Sequence, residues 1–247
     1  MKTVFINCSP KRRFCASAYF LGLQRLFVKG EKVTEKLRNK NDHERILKEL
    51  SNADAVVFCL PLYVDGVPSH ILPFLKEMEH FCVRNGIRLK LYSISNNGYI
   101  EGKQSEPVLR IFQNFCARSN LEWCGGIGIG GGVMLNVTRI LFVVQIGVLF
   151  LNIVLNGIRN GNFFPAGAWE NFGVQTLVLV FLNLGVFFYI IRMGRAIDRG
   201  NFFGRKYTRI LIPSFVFIIF ADIFFVIISI LEGGIFRGWL AKKQPEK

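Results

Sequence analysis

Three short segments of this chain carry the residue types that could do chemistry. The first is Asn7-Cys8-Ser9-Pro10-Lys11-Arg12-Arg13, with Ser17 opening a helical pattern just beyond. Hydroxyls, cations and free backbone N–H groups at a helix N-terminus suit a phosphate. Ser9, Pro10, Lys11, Arg12 and Ser17 are therefore candidate anion-binding residues. The second segment runs from Pro61, Leu62 and Tyr63 through Asp65 to Ser69, and the third from Ser95 through Asn97 and Gly98 to Gly102. An aromatic side chain, small residues and exposed backbone groups suit a flat, hydrogen-bonding ring. Asp65 reads as a turn residue. Metal chemistry is not expected: the six cysteines form no CxxC pair and the chain has three histidines. In a reducing cytoplasm these thiols read as small buried side chains. Cys15 stands apart because it falls in the first candidate loop.

These segments need a frame, and short apolar runs alternating with helical spacing supply it. Strands are expected at 3–8, 32–37, 55–60, 89–95 and 123–128, with helices at 17–28, 42–50, 69–83 and 106–119. AVVFCL at 55–60 is continuously apolar, as in a strand covered on both faces. Repeated strand–helix units imply a parallel sheet with right-handed crossovers. The expected fold is an α/β, doubly wound, five-stranded parallel sheet of order 2-1-3-4-5 over residues 1–132. In such sheets ligands sit at the switch point between strands 1 and 3, beyond the strand C-termini. The three segments follow strands 1, 3 and 4.

With those residues in place, the first 130 residues resemble the flavodoxin-like NAD(P)H-dependent oxidoreductase (FMN reductase) family. Asn7, Ser9, Pro10, Lys11 and Ser17 match its first loop, with Cys8 where the family has glycine and with Phe14 and Cys15 adding bulk. Pro61, Tyr63 and Gly66 match the second motif, and Asn97, Gly98 and Gly102 the third. The resemblance implies FMN, its phosphate in the first loop and its ring against Pro61, Leu62, Tyr63, Asn97 and Gly98. It also implies NAD(P)H as electron donor.

Residues 133–247 read as a helical membrane domain of two to three transmembrane helices. Apolar runs at 140–158, 172–191 and 210–231 hold 19, 20 and 22 residues, and a bilayer core needs about 20 helical residues. The first run carries Thr138, Gln145, Asn152 and Arg159 every seventh residue, a polar stripe that fits either a bundle face or an interfacial helix. The third holds one acid, Asp222, which reads as a hydrogen-bonded packing residue or, less simply, as part of proton or quinone chemistry. The glycine-rich stretch 125–132 reads as a hinge between sheet and membrane.

The net charge is +14, but its placement follows topology rather than nucleic acid, which is not an expected partner. Segment 192–209 holds six Lys/Arg against one Asp, whereas 159–171 holds one Arg and one Glu. By the positive-inside rule, 192–209 faces the cytoplasm and 159–171 lies outside. MKTVFINCSP is too polar for a signal peptide, so the N-terminal domain is expected in the cytoplasm of a multi-pass cell-membrane protein. The basic C-terminal tail then falls outside, unless that segment folds back or lies in the interface through Trp239.

The functional expectation is a membrane-tethered oxidoreductase passing electrons from NAD(P)H through FMN to a quinone or a membrane redox partner. The alternative is a flavodoxin-like sensor or assembly module without catalytic activity. The bilayer and a nicotinamide nucleotide are the expected partners, with a homo-oligomer as a further one. No residue is assigned as a general acid or base.

Overall fold

The computed structural model describes residues 1–11, 15–164 and 166–231. Arg12, Arg13, Phe14 and the C-terminal residues Trp239, Arg237, Lys242, Lys243 and Lys247 lie outside them. Two compact units divide at 211/212.

The first unit is built on a parallel sheet of order β2-β1-β3-β4-β5-β6. The strands are β1 (Lys2–Asn7), β2 (Glu31–Lys36), β3 (Ala55–Pro61), β4 (Lys90–Asn96), β5 (Glu122–Gly130) and β6 (Gly204–Arg209). Between them run α1 (Ala16–Leu26), α2 (His43–Leu50), α3 (Ile71–Asn85) and α4 (Glu106–Ser119). Beyond β5 come α5 (Gly132–Asn160), α6 (Ala166–Leu182) and α7 (Leu184–Arg199). Strands β3 and β4 are buried almost throughout, as strands sandwiched between helices must be. One large core gathers Val4, Ile6, Val56, Phe58, Phe74, Met78 and Phe112. The rings of Phe58 and Phe112 lie 5.0 Å apart, a separation typical of favourable aromatic pairs.

The five-strand expectation is corrected: the sheet has six strands. The sixth comes from within 192–209, which sequence alone read as a basic connecting loop. Its residues, GRKYTR, show no apolar alternation, and none of them is fully buried at this edge of the sheet. The burial is spread thinly over the strand, and the cations protect the open edge from further pairing. The glycine stretch is also corrected. Most of it is β5 itself, and the glycines permit close approach. A Cβ on Gly125, which has φ +129°, would collide with the Gly204 backbone; one on Gly102 would collide with Thr208 and Gly128 carbonyls. Only Gly131, in the left-handed region at φ +69°, acts as the expected turn, capping the start of α5.

Helix α7 fills the place of a crossover helix between β5 and β6. Val186, Ile190, Met193 and Ile197 are fully buried. Gly194 lets α7 touch the backbone of Phe27, where any Cβ would overlap the Phe27 carbonyl. Gln24 Nε2 donates to the Ile190 carbonyl at 3.3 Å, and Tyr92 Oη donates to the Asn201 carbonyl at 2.9 Å. The pair α5–α6 is therefore a helical hairpin inserted into the β5–β6 crossover.

This changes the membrane reading. Within α5, Val137–Asn160 is the one described helix that is long and apolar enough by itself to cross a bilayer, and only 11% of its apolar window is buried. The expected span at 172–191 is instead broken at Asn183: α6 and α7 meet at a 63° bend. The second part is apolar because it packs on the sheet and α1, a use of apolar residues that composition cannot separate from lipid contact. The expected 210–231 span begins later: the helix of the second unit, α8 (Ser214–Leu231), follows Pro213, and its apolar segment counts as a shorter helix.

Candidate functional site

Strands β1, β3 and β4 end side by side, and their loops meet around a cleft of about 150 Å³. Of the residues singled out from sequence, it is lined by Ser9, Lys11, Ser17, Pro61, Leu62, Tyr63, Asn97 and Gly98. Pro10 is described but does not line it, and Arg12 lies outside the described residues. Cys15, Ala16 and Asn96 also line the cleft. Cys15 had been noted for its loop position. Asn96 could have been found from the Asn-Asn pair ending β4.

The first loop is folded by its own side chains. Asn7 Oδ1 accepts from the Ser9 N–H at 3.0 Å, and Ser9 Oγ accepts from the Lys11 N–H at 3.4 Å. Such Asx and hydroxyl turns bend the chain locally. They bring Ser9 and Lys11 toward the start of α1. The cap of that helix is Cys15, whose side chain makes no capping hydrogen bond. Ser17 is inside the helix rather than at its cap. Its Oγ is buried and accepts from Asn96 Nδ2 at 2.9 Å. The uncapped helix end, the Ser9 hydroxyl and the Lys11 cation together favour an anion.

The other side of the cleft has different walls. The Leu62 N–H donates to the Asn96 carbonyl at 2.8 Å, tying the second loop to the third. Tyr63 and Gly66 exchange two backbone hydrogen bonds of 3.1 and 3.0 Å. Between them Val64 and Asp65 both have positive φ, 46° and 57°, the signature of a type I′ turn. A β-branched residue is strained there, and Val64 is fully exposed. The turn holds Tyr63, 41% exposed, at the rim. Burial and the Cys15 thiol raise its hydroxyl pKa, so it is a neutral donor at physiological pH. Asn97 Nδ2 donates to Ser105 Oγ at 3.0 Å and to the Glu101 carbonyl at 3.2 Å, while its Oδ1 is buried without a partner. Gly98 has open space where a Cβ would sit.

Cys8, the substitution that looked obstructive in sequence, does not enter the cleft. It is fully buried in the main core, and its Sγ points to the Ile6 carbonyl at 3.8 Å. Burial pushes its thiol pKa far up. Cys15 does line the cleft, and Asn7 Nδ2 donates to its Sγ at 3.6 Å. Among the described residues, no group of three or more His, Cys, Asp or Glu could hold a metal ion.

No family model and no curated protein matches this sequence. Solved structures do resemble it. The Trp repressor binding protein from Bacillus subtilis matches with a TM-score of 0.44 and 14% identity, over 52% of this chain and 84% of that one. An NADPH-quinone reductase from P. pentosaceus matches with a TM-score of 0.42 and 15% identity, over 53% and 86%. NAD(P)H:quinone oxidoreductase from Methanothermobacter marburgensis matches with a TM-score of 0.39 and 14% identity, over 56% and 92%. At such identities and scores the functional reading rests on the geometry of the cleft.

Proposed function

We propose that this chain is a membrane-anchored flavin oxidoreductase whose α/β unit binds FMN and passes electrons from NAD(P)H to a lipid-soluble acceptor, such as a quinone or a membrane redox partner. The observation that carries this reading is the convergence of two unlike surfaces in one cleft. One end, with Ser9, Lys11 and the open N-terminus of α1, suits a phosphate. The other, with Tyr63, Gly98 and an unpartnered carboxamide oxygen on Asn97, suits a flat ring bearing an N–H donor. Both kinds of group fit FMN. Bound there, the flavin would accept a hydride from the nicotinamide and deliver electrons onward.

The chain's own residues bind and orient. Lys11 neutralises phosphate charge. Ser9 donates its hydroxyl to phosphate oxygen. Asn97 Oδ1 accepts from the ring edge, and Asn96 keeps Ser17 and the Leu60 carbonyl in register through bonds of 2.9 and 3.0 Å. Tyr63 covers one side of the ring and limits water.

The membrane part of the proposal rests on the α5–α6 hairpin. The apolar portion of α5 spans 24 residues, about 36 Å at 1.5 Å per residue, enough for a hydrocarbon core of about 30 Å. Exposed Leu141, Val144, Val148, Leu151 and Leu155 give it the outward surface a lipid contact requires. Arg192, Arg195 and Arg199 lie on α7, on the sheet side of the bend, which the positive-inside rule puts in the cytoplasm. The connection after α5 would then lie across the bilayer.

The deciding experiment is an absorption spectrum of the detergent-purified chain after FMN is added and the excess removed by desalting. Retained yellow flavin that bleaches with NADH or NADPH is the expected result. Protein that stays colourless overturns the oxidoreductase reading. Weight then moves to a non-catalytic sensor or assembly module, which the bulk of Cys15 inside the cleft would favour.

A further inference from the structure

The base of the hairpin encloses a second cavity, of about 270 Å³, between α1, α5, α6 and α7. Leu23, Phe142, Leu179, Val180 and Phe187 give it apolar walls. On the α1 side the Arg139 guanidinium lies 5.4 Å from the Tyr19 ring centroid, within cation–π range.

Its polar groups are few and incompletely used. Asn183, at the α6–α7 bend, is only 4% exposed. Its Nδ2 donates to the Leu179 carbonyl at 2.8 Å and to Thr138 Oγ1 at 3.3 Å. A carbonyl can only accept, so Leu179 fixes which way the carboxamide faces. Thr138 in turn spends its hydroxyl hydrogen on the Leu135 carbonyl at 2.7 Å. Among the described residues, Asn183 Oδ1 is left buried with no partner, and so is Thr176 Oγ1, two turns earlier on α6. Buried polar atoms without partners are uncommon in folded proteins and call for an explanation. Both residues line the same cavity.

The two atoms make different demands. Asn183 Oδ1 can only accept, whereas the Thr176 hydroxyl can donate or accept. A hydroxyl group meets either demand, donating to Asn183 or accepting from Thr176, and a head with two hydroxyls meets both. An ionised phosphate or carboxylate has no hydrogen for Asn183, and a bare hydrocarbon chain serves neither. The apolar walls suit a hydrocarbon body, and the cavity lies where α5 and α6 leave the sheet.

We propose that this cavity binds a lipophilic molecule with a hydroxyl head, its polar end between Asn183 and Thr176 and its apolar body along the hairpin. Such a molecule can be a bilayer lipid of the acylglycerol type or a hydroquinone. The site deepens the reading above, since it rests on the hairpin lying in a bilayer, but it does not depend on flavin. It lies near the first cleft. Tyr19 is two residues from Ser17 on α1, and the first N–H of α5, on Gly132, donates to the Asn97 carbonyl at 2.8 Å.

The test uses the full chain in detergent, incubated with monoolein or with a decyl-substituted benzohydroquinone kept reduced under argon. The protein is washed by gel filtration and the retained probe is extracted and quantified by mass spectrometry. At least one probe should be retained at about one molecule per chain. Thr176→Val should reduce retention about tenfold with an unchanged circular dichroism melt, and Thr176→Ser should restore it. The O-methylated form of the same probe should not be retained. Retention of monoolein alone identifies a lipid site, and of hydroquinone alone a redox one; both support the hydroxyl-headed ligand. No retention of either probe, equal retention of the methyl ether, or full retention by Thr176→Val overturns the proposal. The visible spectrum of the same sample reports flavin separately, so a colourless protein that retains a probe would sink only the flavin reading. Failure of the chain to sediment with membranes would sink the bilayer reading.

Discussion

Lys11 is the residue whose proposed task can be separated most cleanly from folding. It is exposed and its backbone N–H, not its ammonium, makes the local turn. Lys11→Ala should weaken FMN binding about tenfold, the scale of a charge-assisted contact, and leave riboflavin binding unchanged because riboflavin lacks the phosphate. Fluorescence titration with the two flavins gives the comparison. Equal losses would remove Lys11 from the phosphate site. The thiols make a second residue-level prediction. Burial pushes Cys82 and Cys124 up to about 11 and Cys116 to about 12, from an ordinary value of 9.0. Their contribution to stability is fully present below pH 9 and is lost as pH rises through those values, because the unfolded chain releases protons that the fold retains. Urea midpoints should therefore fall between pH 9 and 11. Replacing Cys116 by alanine would flatten part of that slope while lowering stability at neutral pH through the cavity it leaves.

At the scale of elements, the joint between α7 and α1 is the most exacting. Gly194 stands against the Phe27 backbone with no room for a Cβ. Gly194→Val should lower stability by about 2–4 kcal/mol, since the overlap falls on backbone and can be relieved only by moving a helix. Thermal unfolding of the detergent-solubilised chain measures it, and a shift of the size seen for ordinary surface changes would show that α7 can slide. Here the sequence was hard to read. Apolar residues at 184–191 signalled a spanning helix, yet Val186 and Ile190 are fully buried and Gln24 donates to the Ile190 carbonyl, while Leu184 and Phe188 stay exposed. Asn183 looked like one polar residue within a long apolar run. In the structure it ends one helix and starts another, its N–H bonding to Val180 and its carbonyl accepting from Val186 and Phe187. The strand GRKYTR was missed for a related reason: an edge strand made acceptable by glycine neighbours need not alternate apolar and polar residues. By contrast, the central strands β1 and β3 and the loops after them were legible, because strands covered on both faces are apolar runs, whereas the polar edge strand β2 was legible only through the strand–helix alternation.

For the whole molecule, the insertion of a helical hairpin in the last crossover means that the chain leaves the sheet and returns to complete it. If α5 and α6 lie in a bilayer, the turn at Gly161–Phe164 lies on the side away from the sheet. That turn is held by Asn162, whose Oδ1 accepts from the Phe164 N–H at 2.8 Å. All six native cysteines are buried, so a cysteine introduced there reports alone. Asn162→Cys should react with a membrane-impermeant maleimide added to intact cells, whereas a cysteine at Lys103 should react only after lysis. The reverse pattern would invert the topology, and labelling of both only after lysis would take the hairpin out of the membrane.

The sequence by itself determined the strand–helix alternation, the three loops that meet at the cleft, and the presence of apolar helix enough for a bilayer. These are local properties: burial on two faces demands apolar runs, and turns demand glycine, proline and asparagine. Only the tertiary structure decided which apolar residues face protein and which face outward. It also decided that a basic segment closes the sheet as a sixth strand, that Cys8 turns away from the cleft, and that Asn183 and Thr176 leave their oxygens unpartnered in one cavity. Each of these depends on the partner a side chain meets across the fold, and hydropathy along the chain does not record that partner.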